Sequence, residues 1–94
     1  MVATVLPPLP ATLTQAEAEA YLARCRAAIA TAPAGVPWRL DASALHSFDS
    51  SALAVLLALR REAAARGAAW HIDGLPDRVR VLAGLYGVAE LLTA

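Results

Sequence analysis

The chain has 94 residues, of which 59% are hydrophobic, and its 8 basic residues are balanced by 8 acidic ones. All the bases are arginines scattered along the sequence, without the basic stripe typical of a nucleic-acid-binding protein. Cys25 stands alone, which leaves no disulfide framework or zinc-ligand spacing within one chain, and the longest apolar run, 52–59, is too short to span a bilayer. We therefore expect one soluble, cytoplasmic domain over residues 1–94, with no metal, cofactor or nucleic-acid partner.

The first half of the chain predicts a strand, a helix and a second strand. Val2–Leu6 is typical of a short strand stopped by prolines. Thr14 and Glu17 have the spacing of a capping box, and the helix that they begin is predicted to run to about Ala32. Trp38–Asp41 follows a proline- and glycine-containing turn and predicts the second strand. The helix's expected buried stripe comprises Ala18, Tyr21, Leu22, Cys25, Ala28 and Ile29.

The second half continues the alternation of helix and strand. A strongly apolar helix is predicted from about Ser50 to Gly67, Ala69–Asp73 predicts a third strand, and Pro76 fits the first position of a third helix that stops at Gly87. The segment Val88–Leu92 fits either a last strand or a helical turn. The alternation predicts an α/β fold, with a mixed, partly parallel sheet of about four strands packed against helices. The expected inner faces are Leu53, Leu56, Leu57 and Ala64, widened by Val55 and Leu59, on the second helix, and Val79, Leu82, Ala83 and Tyr86 on the third.

Three polar residues open the second helix, and they allow two compatible interpretations. Asp49, Ser50 and Ser51 are all suited to capping a helix N-terminus, where backbone N–H groups lack partners. Only one of Asp49 and Ser50 is the cap itself, so at least one further polar group remains at the helix entrance. That group is a candidate site of phosphorylation or partner contact, because phosphate would add about −1.5 to −2 charges there.

Two histidines invite a catalytic interpretation together with Ser50. His46 and His71 belong to a predicted loop and a predicted strand, and the glycine pattern of a nucleophile elbow is absent around Ser50. We expect no catalytic residue, and a small serine hydrolase using Ser50 or Ser51 is kept only as a remote alternative.

The third helix has apolar residues on more than one face. Val81 and Leu85 lie off its expected inner stripe. Either the C-terminal tail covers them, or they form an exposed docking surface beside the second helix.

The segments from about 37 to 92 together resemble the STAS domain family, named after sulphate transporters and anti-sigma factor antagonists. The resemblance is carried by a strand ending in Asp41, the segment Phe48–Leu57 with its Asp-Ser-Ser-x-Leu-x-x-Leu-Leu motif, and Gly67 after the helix. The closing segment Leu82–Val88 is most similar to the small STAS subunit of Mla-type phospholipid ABC transporters. Ala52 departs from the glycine usual in the family, and the family's opening two-stranded hairpin has a single counterpart strand here.

The resemblance implies a non-enzymatic regulatory or binding module. In Mla-type subunits a hydroxyl residue at the position of Ser50 contacts the ABC ATPase, and in anti-sigma factor antagonists the matching serine is phosphorylated by the anti-sigma kinase. We expect docking on a cytoplasmic ATPase subunit, and hence only indirect association with the inner membrane, with the anti-sigma factor antagonist as the alternative. The predicted partner-binding residues are Asp49, Ser50, Ser51, Leu53, Arg78, Val81 and Leu85.

Overall fold

The computed structural model of the protein describes residues 3–93. Within that range the strands are β1 (Thr4–Val5), β2 (Thr12–Leu13), β3 (Trp38–Asp41), β4 (Ser47–Phe48) and β5 (Trp70–Asp73). The helices are α1 (Gln15–Ile29), α2 (Ser50–Ala65), α3 (Asp77–Leu85) and α4 (Ala89–Thr93). No helix in this part of the chain combines the length and the apolar character needed to cross a membrane.

The strands form two parallel sheets. In the larger sheet, β3 lies between β1 and β5, with Trp38 opposite Thr4 on one side and Trp70 on the other. In the smaller sheet, β2 pairs with β4. Parallel neighbours require a crossover connection, which α1 and α2 supply. The predicted α/β class is confirmed, and the described strands lie in two sheets where the sequence predicted one mixed sheet.

One face of the larger sheet carries the core. Trp38 and Leu40 are buried on β3, whereas Arg39 and Asp41 between them are exposed, which is the alternation of a sheet covered on one side. Helix α1 contributes Tyr21, Cys25 and Ile29 to this core, and α2 contributes a wider set: Ala52, Leu53, Val55, Leu56, Leu59 and Ala63. The opposite face of the sheet is open, with Val5 73% exposed.

Helices α1 and α2 lie side by side in the same direction and are fastened at both ends. At the N-terminal ends, the Gln15 N–H of α1 donates to Oδ2 of Asp49 at 3.2 Å. At the C-terminal ends, Nη1 of Arg66 donates to the Ile29 carbonyl at 2.8 Å, and Nε of Arg26 donates to Oε2 of Glu62 at 3.2 Å. The N-termini of both helices therefore meet at one end of the molecule.

Most predicted elements are present, and the differences lie at their ends. The carboxylate of Glu17 accepts hydrogen bonds from the backbone N–H and the hydroxyl of Thr14, so the capping box is confirmed. Helix α1 ends at Ile29 rather than Ala32, and Pro76 is the N-cap of α3 rather than its first helical residue. Strand β1 covers only part of the predicted Val2–Leu6, whose first residue lies outside the described range.

Several predicted inner-face positions also differ from the structure. Ala28 and Ala64 are exposed, Leu57 is half-buried, and Tyr86 is 60% exposed because α3 buries only the stripe of Val79 and Ala83. Helix α4, Ala89–Thr93, covers most of the segment 88–92, which fitted either a strand or a helical turn.

Gly74 fixes the turn after β5 against the loop that follows β3. It has a φ of +69°, and a Cβ atom there would lie 2.8 Å from Cβ of Ser43. Gly67, after α2, has a similar φ of +68°, but a Cβ atom there would meet open space. The two glycines thus share one conformation and differ in the room around them.

Gly74→Ala is expected to destabilise the fold more than its matched control Gly67→Ala. Both substitutions place a side chain at positive φ, at a cost of about 1–2 kcal/mol. Gly74→Ala must also displace Ser43, which adds about 1–3 kcal/mol of overpacking. Urea denaturation of both variants measures the free energies of unfolding. An equal loss of unfolding free energy in the two variants would show that the close approach to Ser43 does not affect stability.

Candidate functional site

The predicted site residues converge where α1 and α2 begin. Strand β4 ends at Phe48, Asp49 follows, and α2 starts at Ser50. Strand β4 pairs with β2, and Leu13 at the end of β2 lies opposite Phe48. The start of α1, two residues after Leu13, therefore lies close to the start of α2. The N–H groups of His46 and Ser47 donate to the Ala11 carbonyl at 2.8 and 2.9 Å and hold the two connections together. The small sheet therefore sets the relative position of both helix N-termini.

Asp49 is bound to both of those N-termini. Its Oδ1 accepts a hydrogen bond from the Ser51 N–H at 2.8 Å, which makes it the N-cap of α2, and its Oδ2 accepts from the Gln15 N–H of α1. The Ser51 N–H holds the pKa of the Asp49 carboxyl below its usual range, and the Gln15 N–H adds to this effect. Since the N-terminal ends of helices carry partial positive charge, an ionised carboxylate is stabilised at this point.

Capping by Asp49 leaves the hydroxyl of Ser50 unused. Ser50 is exposed at the first position of α2, and its side chain makes no hydrogen bond with any residue in the range 3–93. Ser51 is half-buried and interacts with Asp49. The sequence predicted at least one further polar group at the start of α2 besides the cap. That group is the exposed hydroxyl of Ser50, next to the Asp49 carboxylate.

Arg78 connects α3 to this region. Its Nη1 donates to the His46 carbonyl at 3.3 Å, and its guanidinium carbon lies 5.2 Å from the ring centroid of Phe48, within cation–π range. Both contacts are to the segment that leads into Asp49. The first turn of α3 is thereby held next to the start of α2.

Two apolar side chains continue the stripe of Arg78 along α3. Val81 and Leu85 lie three and seven residues further on, on the same side of the helix, and are 65% and 79% exposed. The C-terminal segment, as far as the structure describes it, leaves both of them uncovered. Of the two alternatives from the sequence, the structure therefore favours an exposed apolar surface.

The sequence makes two predictions for Leu53. Its side chain is only 3% exposed and belongs to the core, which confirms the inner-face prediction and leaves little surface for the predicted partner contact. The other predicted partner-binding residues are exposed or half-buried: Asp49, Ser50 and Ser51 at the start of α2, and Arg78, Val81 and Leu85 along α3. We call this set of residues the Ser50 surface.

The histidines do not join the serines in a catalytic arrangement. His71 lies on β5 with its side chain exposed on the open face of the sheet, and His46 bonds to Ala11 and Arg78 through its backbone N–H and carbonyl groups. Within residues 3–93 no histidine is hydrogen-bonded to Ser50 or Ser51, and no three His, Cys, Asp or Glu side chains are grouped as metal ligands.

The sequence does not reveal the contacts that bring the two helix N-termini together. Strands β2 and β4 have two residues each, too few to show a period, and the bond from Gln15 to Asp49 joins residues 34 positions apart. The strand pairing and this bond arise only from tertiary structure. The capping box at Thr14 indicates that a helix begins after it, but not that Asp49 binds that N-terminus.

Asp49→Ala is expected to lower the free energy of unfolding at pH 7, because both helix N-termini lose an acceptor. The pKa of Asp49 is lower in the folded state, so its stabilisation is complete above its unfolded-state pKa of about 4 and is lost as pH falls through the folded value. The stability difference between wild type and Asp49→Ala should therefore shrink in denaturation series below about pH 4. A difference that stays constant down to pH 2 would contradict this assignment.

Comparison with known proteins agrees with the geometry. A family model described as "Mlab, STAS domain" matches residues 9–93, which contain all the elements from β2 to α4. A comparison with curated proteins finds no match. The match covers most of the sequence and includes the whole Ser50 surface, and the chain belongs to the STAS domain family.

Proposed function

We propose that residues 1–94 form a single STAS domain that acts as a non-enzymatic subunit of a bacterial phospholipid ABC transporter. In this proposal it docks on the cytoplasmic ATPase through the Ser50 surface and supports the assembly or activity of the transporter. Its association with the inner membrane is then indirect, through the ATPase. The description of the matched family and the resemblance of Leu82–Val88 to Mla-type subunits support this choice of partner.

One observation carries the proposal. A serine hydroxyl with no partner among the described residues lies at the start of α2, and Arg78 holds the first turn of α3, which leads to exposed Val81 and Leu85, against the segment before it. An exposed hydroxyl can give a partner directional hydrogen bonds, and Val81 and Leu85 supply apolar area to bury. Interfaces combine such groups, with apolar anchors at the centre and polar groups at the rim.

The alternative function is that of an anti-sigma factor antagonist controlled by phosphorylation of Ser50. The accessibility of Ser50 favours it, since a kinase needs an exposed hydroxyl. The phosphate would lie at the positive end of the α2 dipole, but next to the Asp49 carboxylate. The added charge would be tolerated by the fold and would oppose a partner surface that fits a neutral hydroxyl.

Two measurements separate these functions. Co-purification with an ABC ATPase supports the transporter function, whereas a stable complex with an anti-sigma kinase and none with an ATPase rejects it. Intact mass after incubation with the cognate kinase and ATP tests the alternative. If no phosphate is added, or if added phosphate leaves binding unchanged, the antagonist function is rejected.

Ser50→Asp is expected to weaken partner binding by about 1 kcal/mol or more, as for a charge buried without a partner. The fold should be unaffected, because an acid is favourable at a helix N-terminus. Thr31→Asp is the matched control, since Thr31 is also an exposed hydroxyl but lies beyond the C-terminal end of α1. Calorimetric titration gives the affinities and thermal melting checks the fold. Equal affinity of Ser50→Asp and wild type would show that Ser50 lies outside the interface.

Leu85→Arg is expected to weaken partner binding tenfold or more, because it removes an apolar anchor and places a charge in the interface. Val5→Arg is its control: Val5 is 73% exposed, close to the 79% of Leu85, but lies on the open face of the larger sheet. The control should bind as wild type does. An equal loss for both variants, or a loss for Val5→Arg alone, would place the interface on the sheet instead.

A further inference from the structure

An open groove of about 290 Å³ runs between α1 and α2, next to the Ser50 surface. Ala18 and Leu22 form its α1 side, and Ala54 and Val55 its α2 side, so that its floor is apolar. Ser51 and Glu19 border it. Ser51 both lines the groove and donates its N–H to the N-cap Asp49, so the groove starts at the N-terminal end of α2. A partner seated on Ser50 therefore lies directly beside it.

The lining of this groove holds one charged residue, Glu19. Glu17 lies two residues before it on α1, and the first ten residues of α2 are uncharged. The carboxylate of Glu17 is bound to Thr14, whereas Glu19 has no ion pair among the described residues. Farther along the same seam, Arg26 is already paired with Glu62. The carboxylate of Glu19, on the α1 side of the groove, is thus available to pair with a basic group.

We propose that this groove receives a large apolar side chain of the docking partner, with a neighbouring arginine or lysine of the partner placed against Glu19. The inference rests on the proposed docking function and specifies the chemistry of the partner segment. The apolar floor provides the area that such an anchor buries, and Glu19 provides a charge that selects a basic neighbour. The resulting motif, an apolar residue adjacent to a base, is the feature to look for on the partner.

The size of the groove also favours this occupant. Pockets for small-molecule ligands span about 300–1,000 Å³ and enclose most of the ligand, whereas this groove lies at the lower limit and is open along one side. A protruding side chain fits such a shape without being enclosed. Its position next to Ser50 allows the hydroxyl contact and the anchor to be engaged by one continuous partner surface.

Ala54→Arg and Glu19→Arg test the inference in binding measurements with the purified ATPase subunit. Ala54→Arg fills the groove from an exposed helical position and should weaken binding at least tenfold. Glu19→Arg reverses the selecting charge and should weaken binding about fivefold, with most of that loss disappearing at 0.5 M salt as the charges are screened. Ala65→Arg is the matched control, since Ala65 is exposed on the same side of α2 about three turns further along, and it should bind within twofold of wild type.

The outcomes separate this inference from the proposed function. If Ser50→Asp weakens binding while Ala54→Arg and Glu19→Arg do not, the groove is unoccupied in the complex and the inference fails, although the docking function stands. If wild type binds no ATPase, the proposed function fails and the inference fails with it. A change in the oligomeric state of the free chain on Ala54→Arg would identify a second copy as the occupant. Co-purified lipid lost on the same substitution would identify an acyl chain, and either result overturns the inference.

Discussion

The arrangement of this domain depends on one carboxylate shared by two helices. Asp49 caps α2 through the Ser51 N–H and at the same time accepts the Gln15 N–H at the start of α1. Each helix N-terminus leaves backbone N–H groups without acceptors. A charged carboxylate that accepts one N–H from each helix stabilises both N-termini. The small β2–β4 sheet holds the two chain segments at the distance that this sharing requires. The parallel packing of α1 on α2 is fixed here and again at the far end by Arg66 and Glu62.

The shared cap has a direct consequence for function. Because Asp49 caps the helix, the hydroxyl of Ser50 has no hydrogen-bond partner within residues 3–93 and is exposed, as the proposed docking function requires. Arg78 holds the first turn of α3 to the segment that leads into Asp49, and the exposed side chains of Val81 and Leu85 continue along α3 from that point. Under the proposed function, one partner contacts these residues and Ser50 together. The apolar groove between α1 and α2, which is bordered by Glu19, starts at Ser51.

Local signals in the sequence predicted most of the helices and strands, but not how these elements contact one another. The capping box of Thr14 and Glu17 and the bounds of Trp38–Asp41 follow from short-range chemistry, and both are confirmed. Ala52, at the position where the family usually has glycine, lies in the first turn of α2, which agrees with the high helix propensity of alanine. Its side chain is fully buried. The burial of Leu53 agrees with the inner face that periodicity predicts for α2, whereas the exposure of Tyr86 depends on which elements pack against α3, and periodicity alone does not assign those. The Asp49–Gln15 bond and the two-residue strands likewise arise only once the chain has folded.

Under the proposed function, a partner docks on the end of the molecule defined by Asp49 and Ser50. Titration of the ¹⁵N-labelled protein with the ATPase subunit, followed by amide chemical shifts, shows where the partner binds. The largest shifts are expected at Ser50, Ser51, Val81 and Leu85, with the amides of Val5 and His71 on the open sheet unchanged. Shifts that cluster on the open sheet and leave the start of α2 unaffected would place the docking surface on the sheet.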